Sequence, residues 1–113
     1  MARSLQIERE PHGDVDILRP HGEIDLNVSP DLRRALLDRL AAGRDVLVDM
    51  ERVAYIDSSG IASLAEALHV ARRQGRRFAL ARVPEPAMKV LRIARLDQVF
   101  PIHDVLDPAF GNT

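Results

Sequence analysis

The residues best placed to do chemistry are Asp57-Ser58-Ser59-Gly60: an acid, two hydroxyls and a glycine, set between an apolar run and a long helical pattern. A serine at a strand-to-helix junction invites comparison with the nucleophile elbow of hydrolases, G-x-S-x-G. Gly60 supplies the second glycine if Ser58 is the nucleophile, but Ile56 stands where the first is needed, and the chain is much shorter than such hydrolases. The same residues read well as a helix start, with Asp57 or Ser58 capping exposed N–H groups and Gly60 letting the first turn approach a sheet closely. Capping does not explain why two hydroxyls follow the acid at the most exposed end of the helix. There, the helix dipole and free N–H groups favour a phosphate. A serine at this place is expected to be a good phosphate acceptor, because the modified side chain would not tear the helix apart.

Other candidates are weaker. His12, His21, His69 and His103 are isolated, with no metal-ligating neighbour at i+2, i+3 or i+4, so no metal is expected. Gly60 has no glycine partner at the spacing of a phosphate-binding loop, so no nucleotide cofactor is expected. Glu23 and Asp25 lie close together, but acidic residues in a turn are ordinarily solvated and make a poor acid/base pair. No catalytic residue is assigned, and the chain is not read as an enzyme.

The elements that must position the serines follow from periodicity. Ser4–Glu8 and Val15–Pro20 alternate around Pro11-His12-Gly13-Asp14, which predicts a β-hairpin, with Gly22-Glu23-Ile24-Asp25 as an irregular exit. Ser29-Pro30 reads as an N-cap and first helical residue, followed by Leu32, Leu36, Leu37 and Leu40 at helical spacing before Gly43. Val46–Met50 is a nearly unbroken apolar run, the mark of a strand covered on both faces. A turn region over Glu51–Asp57 leads to a long helix with Ile61, Leu64, Ala65, Leu68 and Ala71 on one face, ending near Gly75. A covered strand over Phe78–Val83 follows, then a helix opened by Pro84 and Pro86 that carries Met88, Leu91 and Ile93. A short strand at Val99–Ile102 and a short helix over Asp104–Phe110 complete the pattern. Strands alternating with helices after a hairpin predict an α/β fold with a mixed, mostly parallel sheet of about five strands and about four helices. Residues 1–113 read as a single domain without linker or repeat.

Composition agrees with this architecture. Apolar residues make up 46% of 113, enough for a packed interior, and the charged 29% nearly cancel to a formal net charge of -1. That balance argues against a nucleic-acid binder. Lys89 is the only lysine, an arginine bias that by itself marks no site. The chain has no cysteine, which excludes disulfides and thiol chemistry, and no apolar run long enough to insert in a membrane. Met1–Glu10 alternates and is not a secretory signal, so a cytoplasmic location is expected.

The order of hairpin, Gly22-Glu23-Ile24-Asp25, helix, Val48-Asp49-Met50 and Asp57-Ser58-Ser59-Gly60-Ile61 resembles the STAS domain family. Val90-Leu91-Arg92-Ile93-Ala94-Arg95-Leu96-Asp97-Gln98-Val99-Phe100 is similar to that family's late helix and last strand, and the resemblance spans about residues 4–110. Within that family it resembles the bacterial anti-sigma factor antagonists. The resemblance implies that the unphosphorylated chain binds an anti-sigma factor that is itself a serine kinase, which frees the sigma factor. Phosphorylation of Ser58 would end that binding, and a serine phosphatase would restore it. Asp25, Asp57, Ser58, Ser59 and Gly60 are the implied partner-binding residues, and a monomer is the simplest state. Gly60-Ile61-Ala62-Ser63 departs from the Gly-Leu-Gly that often follows the serines in antagonists. Similar sequences occur in single-domain STAS subunits of lipid-transporting ABC systems, so docking on a transporter ATPase or permease is the alternative. The intact acceptor Ser58 favours the antagonist.

Overall fold

A computed structural model describes residues 3–110. Strands β1 (Gln6–His12) and β2 (Val15–Ile24) form the antiparallel hairpin, turning at Gly13-Asp14, where Gly13 takes a φ of +57°. Then come α1 (Ser29–Ala41), β3 (Asp45–Asp49), β4 (Val53–Ile56), α2 (Ser58–Gln74), β5 (Phe78–Ala81), α3 (Glu85–Ile93) and β6 (Ile102–His103). The sheet runs β1-β2-β3-β5-β6, with every pairing after the hairpin parallel, and β4 pairs in parallel with the far end of β2. This is the mixed, mostly parallel α/β sheet that the sequence predicts, with six strands and three helices among the described residues.

The differences from expectation have local causes. Gly22-Glu23-Ile24 is not an irregular exit. It continues β2 past a register shift at Gly22, whose φ is +91° and whose N–H donates to Arg52 O at 2.9 Å. That extension gives Val53–Ile56 a partner, so the expected turn region contains a strand. Asp104–Phe110 does not form a helix. Pro108 disfavours helical geometry at Asp107, whose carboxylate instead accepts from Ala109 N at 2.9 Å in a tight turn. The last strand begins at Ile102, after Pro101, which has no N–H to give. Ser29 is the first residue of α1 and Val28 its cap, with no side-chain hydrogen bond there.

All three helices lie against one face of the sheet, where Leu32, Leu36, Leu64, Leu68 and Leu91 pack on Leu18, Val46, Val48 and Leu80. The other face is closed by the C-terminal turn, with Phe110 and Leu106 over Val15, Ile17, Leu47 and Ala79. Coverage from both sides is why β3 and β5 read as continuous apolar runs.

Two buried carboxylates tie the sheet to its connections. Asp16 is fully buried and faces Arg44 at 3.1 Å, Arg9 at 3.2 Å and Arg39 at 3.6 Å. Asp49, equally buried, accepts from Arg19 Nε at 2.7 Å and from Arg82 Nη2 at 2.6 Å. Arg82 holds a left-handed φ of +53° at the end of β5, and its bidentate bond to Asp49 opposes that strain. Burial pushes both carboxyls upward, but the arginine bonds more than reverse it, leaving both below the ordinary carboxylate range. A lowered folded-state pKa adds stability above the unfolded value of about 3.9, and that stability is lost as pH falls through it towards the folded value. The unfolding free energy should thus decline steeply below about pH 4. Asp49→Asn should cost roughly 3–5 kcal/mol at pH 7, because Arg19 and Arg82 keep their charge beside a neutral partner. It should also flatten the acid limb in urea titrations. An acid limb as steep as in the parent would refute this role for Asp49.

Candidate functional site

The site is built at the end of β4, where the chain turns into α2. Asp57 N donates to Ile24 O at 3.0 Å, which fixes the junction to the end of β2. The Asp57 backbone is extended, with φ at −101°, and its Oδ1 accepts from Ser59 N at 2.9 Å and Gly60 N at 3.2 Å. Asp57 is therefore the N-cap, as the sequence allowed, and Ser58 is the first helical residue. Ser59 Oγ donates to the same carboxylate oxygen at 2.5 Å. That hydroxyl bond, aided by the two amides, holds the Asp57 carboxyl below its usual range, against burial and the nearby charge of Asp25.

Position 60 has no room for a side chain. A Cβ there would meet Ile56 Cγ1 at 2.6 Å and Ile24 Cγ2 at 2.8 Å. The expected close approach is thus real, and it seats the first turn directly on the ends of β2 and β4. The two serines then diverge. Ser58 is exposed, whereas Ser59 is half-buried and tied to Asp57. Ser63, one turn on, is buried, with Oγ donating to Ser59 O at 3.2 Å and Ser29 O at 3.3 Å.

Asp25 sits in the loop between β2 and α1. Its Oδ1 accepts from Asn27 N at 3.0 Å and pairs with Arg3 at 2.7 Å. Arg3, with help from the loop amides, lowers its pKa. The charge of Asp25 is felt at the Asp57 carboxyl, which it pushes upward. Glu23, on the exposed side of β2, has no comparable place. The histidines serve elsewhere: His21 pairs with Glu8 at 2.8 Å and His12 with Glu10 on the hairpin, and His69 is exposed on α2. Among the described residues, no group of three acidic or imidazole side chains could hold a metal ion. Among them too, no helix is long and apolar enough to cross a membrane.

Sequence reasoning missed the groove beside Ser58. It has a volume of about 320 Å³ and lies between α2 and α3, lined by Ser58, Ile61, Ala62, Val90, Ile93 and Leu96. Ile93, at the end of α3, is 75% exposed. Two residues along a helix is 200°, so Ile93 faces away from buried Leu91, and that spacing was the available signal. Leu26, beside Asp25, and Tyr55, before Asp57, are also exposed apolar groups. An apolar groove beside an exposed hydroxyl suits a protein partner.

Comparison with known proteins agrees with this geometry. A family model for the STAS domain matches residues 6–109. The chain is 29% identical over 104 residues to the anti-sigma F factor antagonist of Paenibacillus polymyxa, covering 89% of this chain and 88% of that protein. The crystal structure of an anti-sigma factor antagonist from Mycobacterium paratuberculosis superposes with a TM-score of 0.82 at 25% identity, over 91% of this chain and 88% of that one. The Bacillus cell fate determinant SpoIIAA in its phosphorylated form shares the fold, with a TM-score of 0.69 at 18% identity, over 89% of this chain and 91% of that one.

Gly60→Ala tests how the site is seated. Alanine is the better helix former by about 1 kcal/mol, yet its methyl would push against two branched core side chains. Overpacking of this kind costs about 1–3 kcal/mol, so a net loss of about 1 kcal/mol is expected in urea unfolding. A stabilised variant would show that the first turn can lift away freely.

Proposed function

The chain belongs to the STAS domain family, and from that premise we propose that it is an anti-sigma factor antagonist. It docks on an anti-sigma factor with serine kinase activity when Ser58 is unmodified and releases it when Ser58 carries phosphate. The observation that carries this reading is the exposed Ser58 hydroxyl at the start of α2, next to the Asp57 cap and lining an apolar groove. The relatives named as antagonists and the phosphorylated SpoIIAA support it. The role needs no catalytic group in this chain, because the transferring chemistry belongs to the kinase and the resetting chemistry to a phosphatase.

The physics of the switch lies at the surface. A phosphoserine adds a charge of about −1.5 to −2. The helix dipole favours that charge at the first residue of α2, but the amides of Ser59 and Gly60 are already taken by Asp57. The phosphate would therefore face solvent from the exposed Ser58, and the neighbouring Asp57 adds like charge. A docked partner would have to strip water from this dianion against an apolar groove. A hundredfold loss of affinity corresponds to about 2.7 kcal/mol, well within the cost of a badly placed charge at an interface.

Incubation with a cognate anti-sigma kinase and ATP, followed by peptide mass spectrometry, should place the phosphate on Ser58. Ser59 and Ser63 are held by intramolecular hydrogen bonds, and phosphate found mainly on either would sink the assignment. Ser58→Ala should stay bound under phosphorylating conditions, and Ser58→Asp should lose at least part of its affinity.

Ile93→Asp and Asp25→Ala probe the docking face. Each should weaken binding of the unmodified chain by about tenfold or more, roughly 1.4 kcal/mol. Ile93→Asp should leave the melting midpoint unchanged, because the side chain is 75% exposed. Full affinity in both variants would place the partner on another surface.

A further inference from the structure

The opposite end of α2 carries a feature that the antagonist role does not use. Arg72-Arg73-Gln74-Gly75-Arg76-Arg77 places four arginines within six residues of a chain whose net charge is -1. Arg72, Arg76 and Arg77, together with Phe78, Pro101 and Phe110, line a concavity of about 220 Å³ where β5 begins. Seventeen residues of helix, about 25 Å at 1.5 Å each, separate it from Ser58.

These arginines are not arranged as cations closing a helix end. The last carbonyls of α2 are met by backbone, with Gly75 N and Arg76 N donating to Arg72 O and Ala71 O at 3.3 and 2.8 Å. The guanidiniums instead reach three other segments. Arg72 Nη2 donates to Val99 O at 3.1 Å, Arg76 Nη1 to Gly43 O at 2.6 Å, and Arg77 Nη1 to Phe110 O at 2.9 Å. Arg77 also lies 5.5 Å from the centre of the Phe110 ring, which fixes its plane. Among the described residues, Asp45 is the carboxylate paired with this group, at 2.8 Å from Arg77 and 3.7 Å from Arg76. Three cations against one carboxylate leave a formal surplus of two positive charges. Each guanidinium has five N–H donors, and the contacts above use only some of them.

We propose that this concavity binds a small phosphate-bearing anion. Pinned guanidinium forks match the oxygens of a phosphoryl group and lose little freedom on binding one. The volume is below the usual range for drug-sized ligands, about 300–1,000 Å³. It suits a single phosphoryl group with at most a small body against Phe78 and Phe110. Inorganic phosphate and a phosphate monoester share this chemistry.

The test is an NMR titration of the isotopically labelled full chain with inorganic phosphate, phenyl phosphate and, as a control, chloride at matched ionic strength. For at least one phosphate probe, saturable shifts should appear at the arginine Nε–H groups of Arg72, Arg76 and Arg77 and the amides near Phe78. The dissociation constant should be about 1 mM or tighter. Tighter binding of phenyl phosphate would indicate an ester as the ligand, and equal binding would indicate the free anion. Arg72→Gln should weaken binding by about fivefold or more while leaving Ser58 phosphorylation intact. Linear shifts up to tens of millimolar, reproduced by chloride, would identify general screening of surface charge, whose range is about 8 Å at physiological salt. That result, saturation centred on Ser58, or undiminished affinity in Arg72→Gln would overturn the proposal.

Discussion

The functional face depends on how closely the first turn of α2 lies against the ends of β2 and β4. That approach exists because residue 60 has no Cβ to collide with Ile24 and Ile56. With the turn seated there, the Asp57 carboxylate spans two amides and a hydroxyl, and the backbone direction at Ser58 is set before any partner arrives. The same seating places Ile61 and Ala62 opposite Val90 and Ile93 of α3, which makes the groove. One missing methyl group thus fixes an exposed hydroxyl, its charged neighbours and the apolar surface beside it.

A site built on a rigid helix start responds to charge differently from one built on a loop. The first turn of α2 is held from below by branched core residues and from the side by Asp57, so a new dianion has little structure to disturb. Its effect falls on whatever must share the surface with it. A single covalent change can therefore control association without loss of the fold. The Arg72–Arg77 group lies at the far end of the same helix, in its last turn and the connection to β5, and its charges need not couple to Ser58.

Much of this arrangement was legible in the sequence because it rests on local rules. Asp57-Ser58-Ser59-Gly60 combines a cap, an exposed helix start and a close-approach glycine, and each role was found where expected. The covered strands β3 and β5 were visible as apolar runs because the C-terminal turn closes their second face. Strand β4 was hidden because Ala54 and Tyr55 are both exposed, which breaks period-two alternation, and because its partner is the part of β2 beyond Gly22. The helix expected over Asp104–Phe110 failed on one residue, Pro108, although Leu106 and Phe110 still reach the sheet. The groove was illegible for a different reason. It is formed by the meeting of two helices whose separation no single segment encodes.

The central claim is that the charge on Ser58 acts at the surface, with the domain itself unchanged. Comparison of backbone amide chemical shifts in the unmodified and Ser58-phosphorylated protein tests it most directly. The account predicts differences confined to residues 55–65 and the adjoining loop at 22–27, with the shifts of β3, β5 and the C-terminal turn unmoved. Differences spread through the central strands and into α3 would contradict it and show that phosphate works by rearranging the fold.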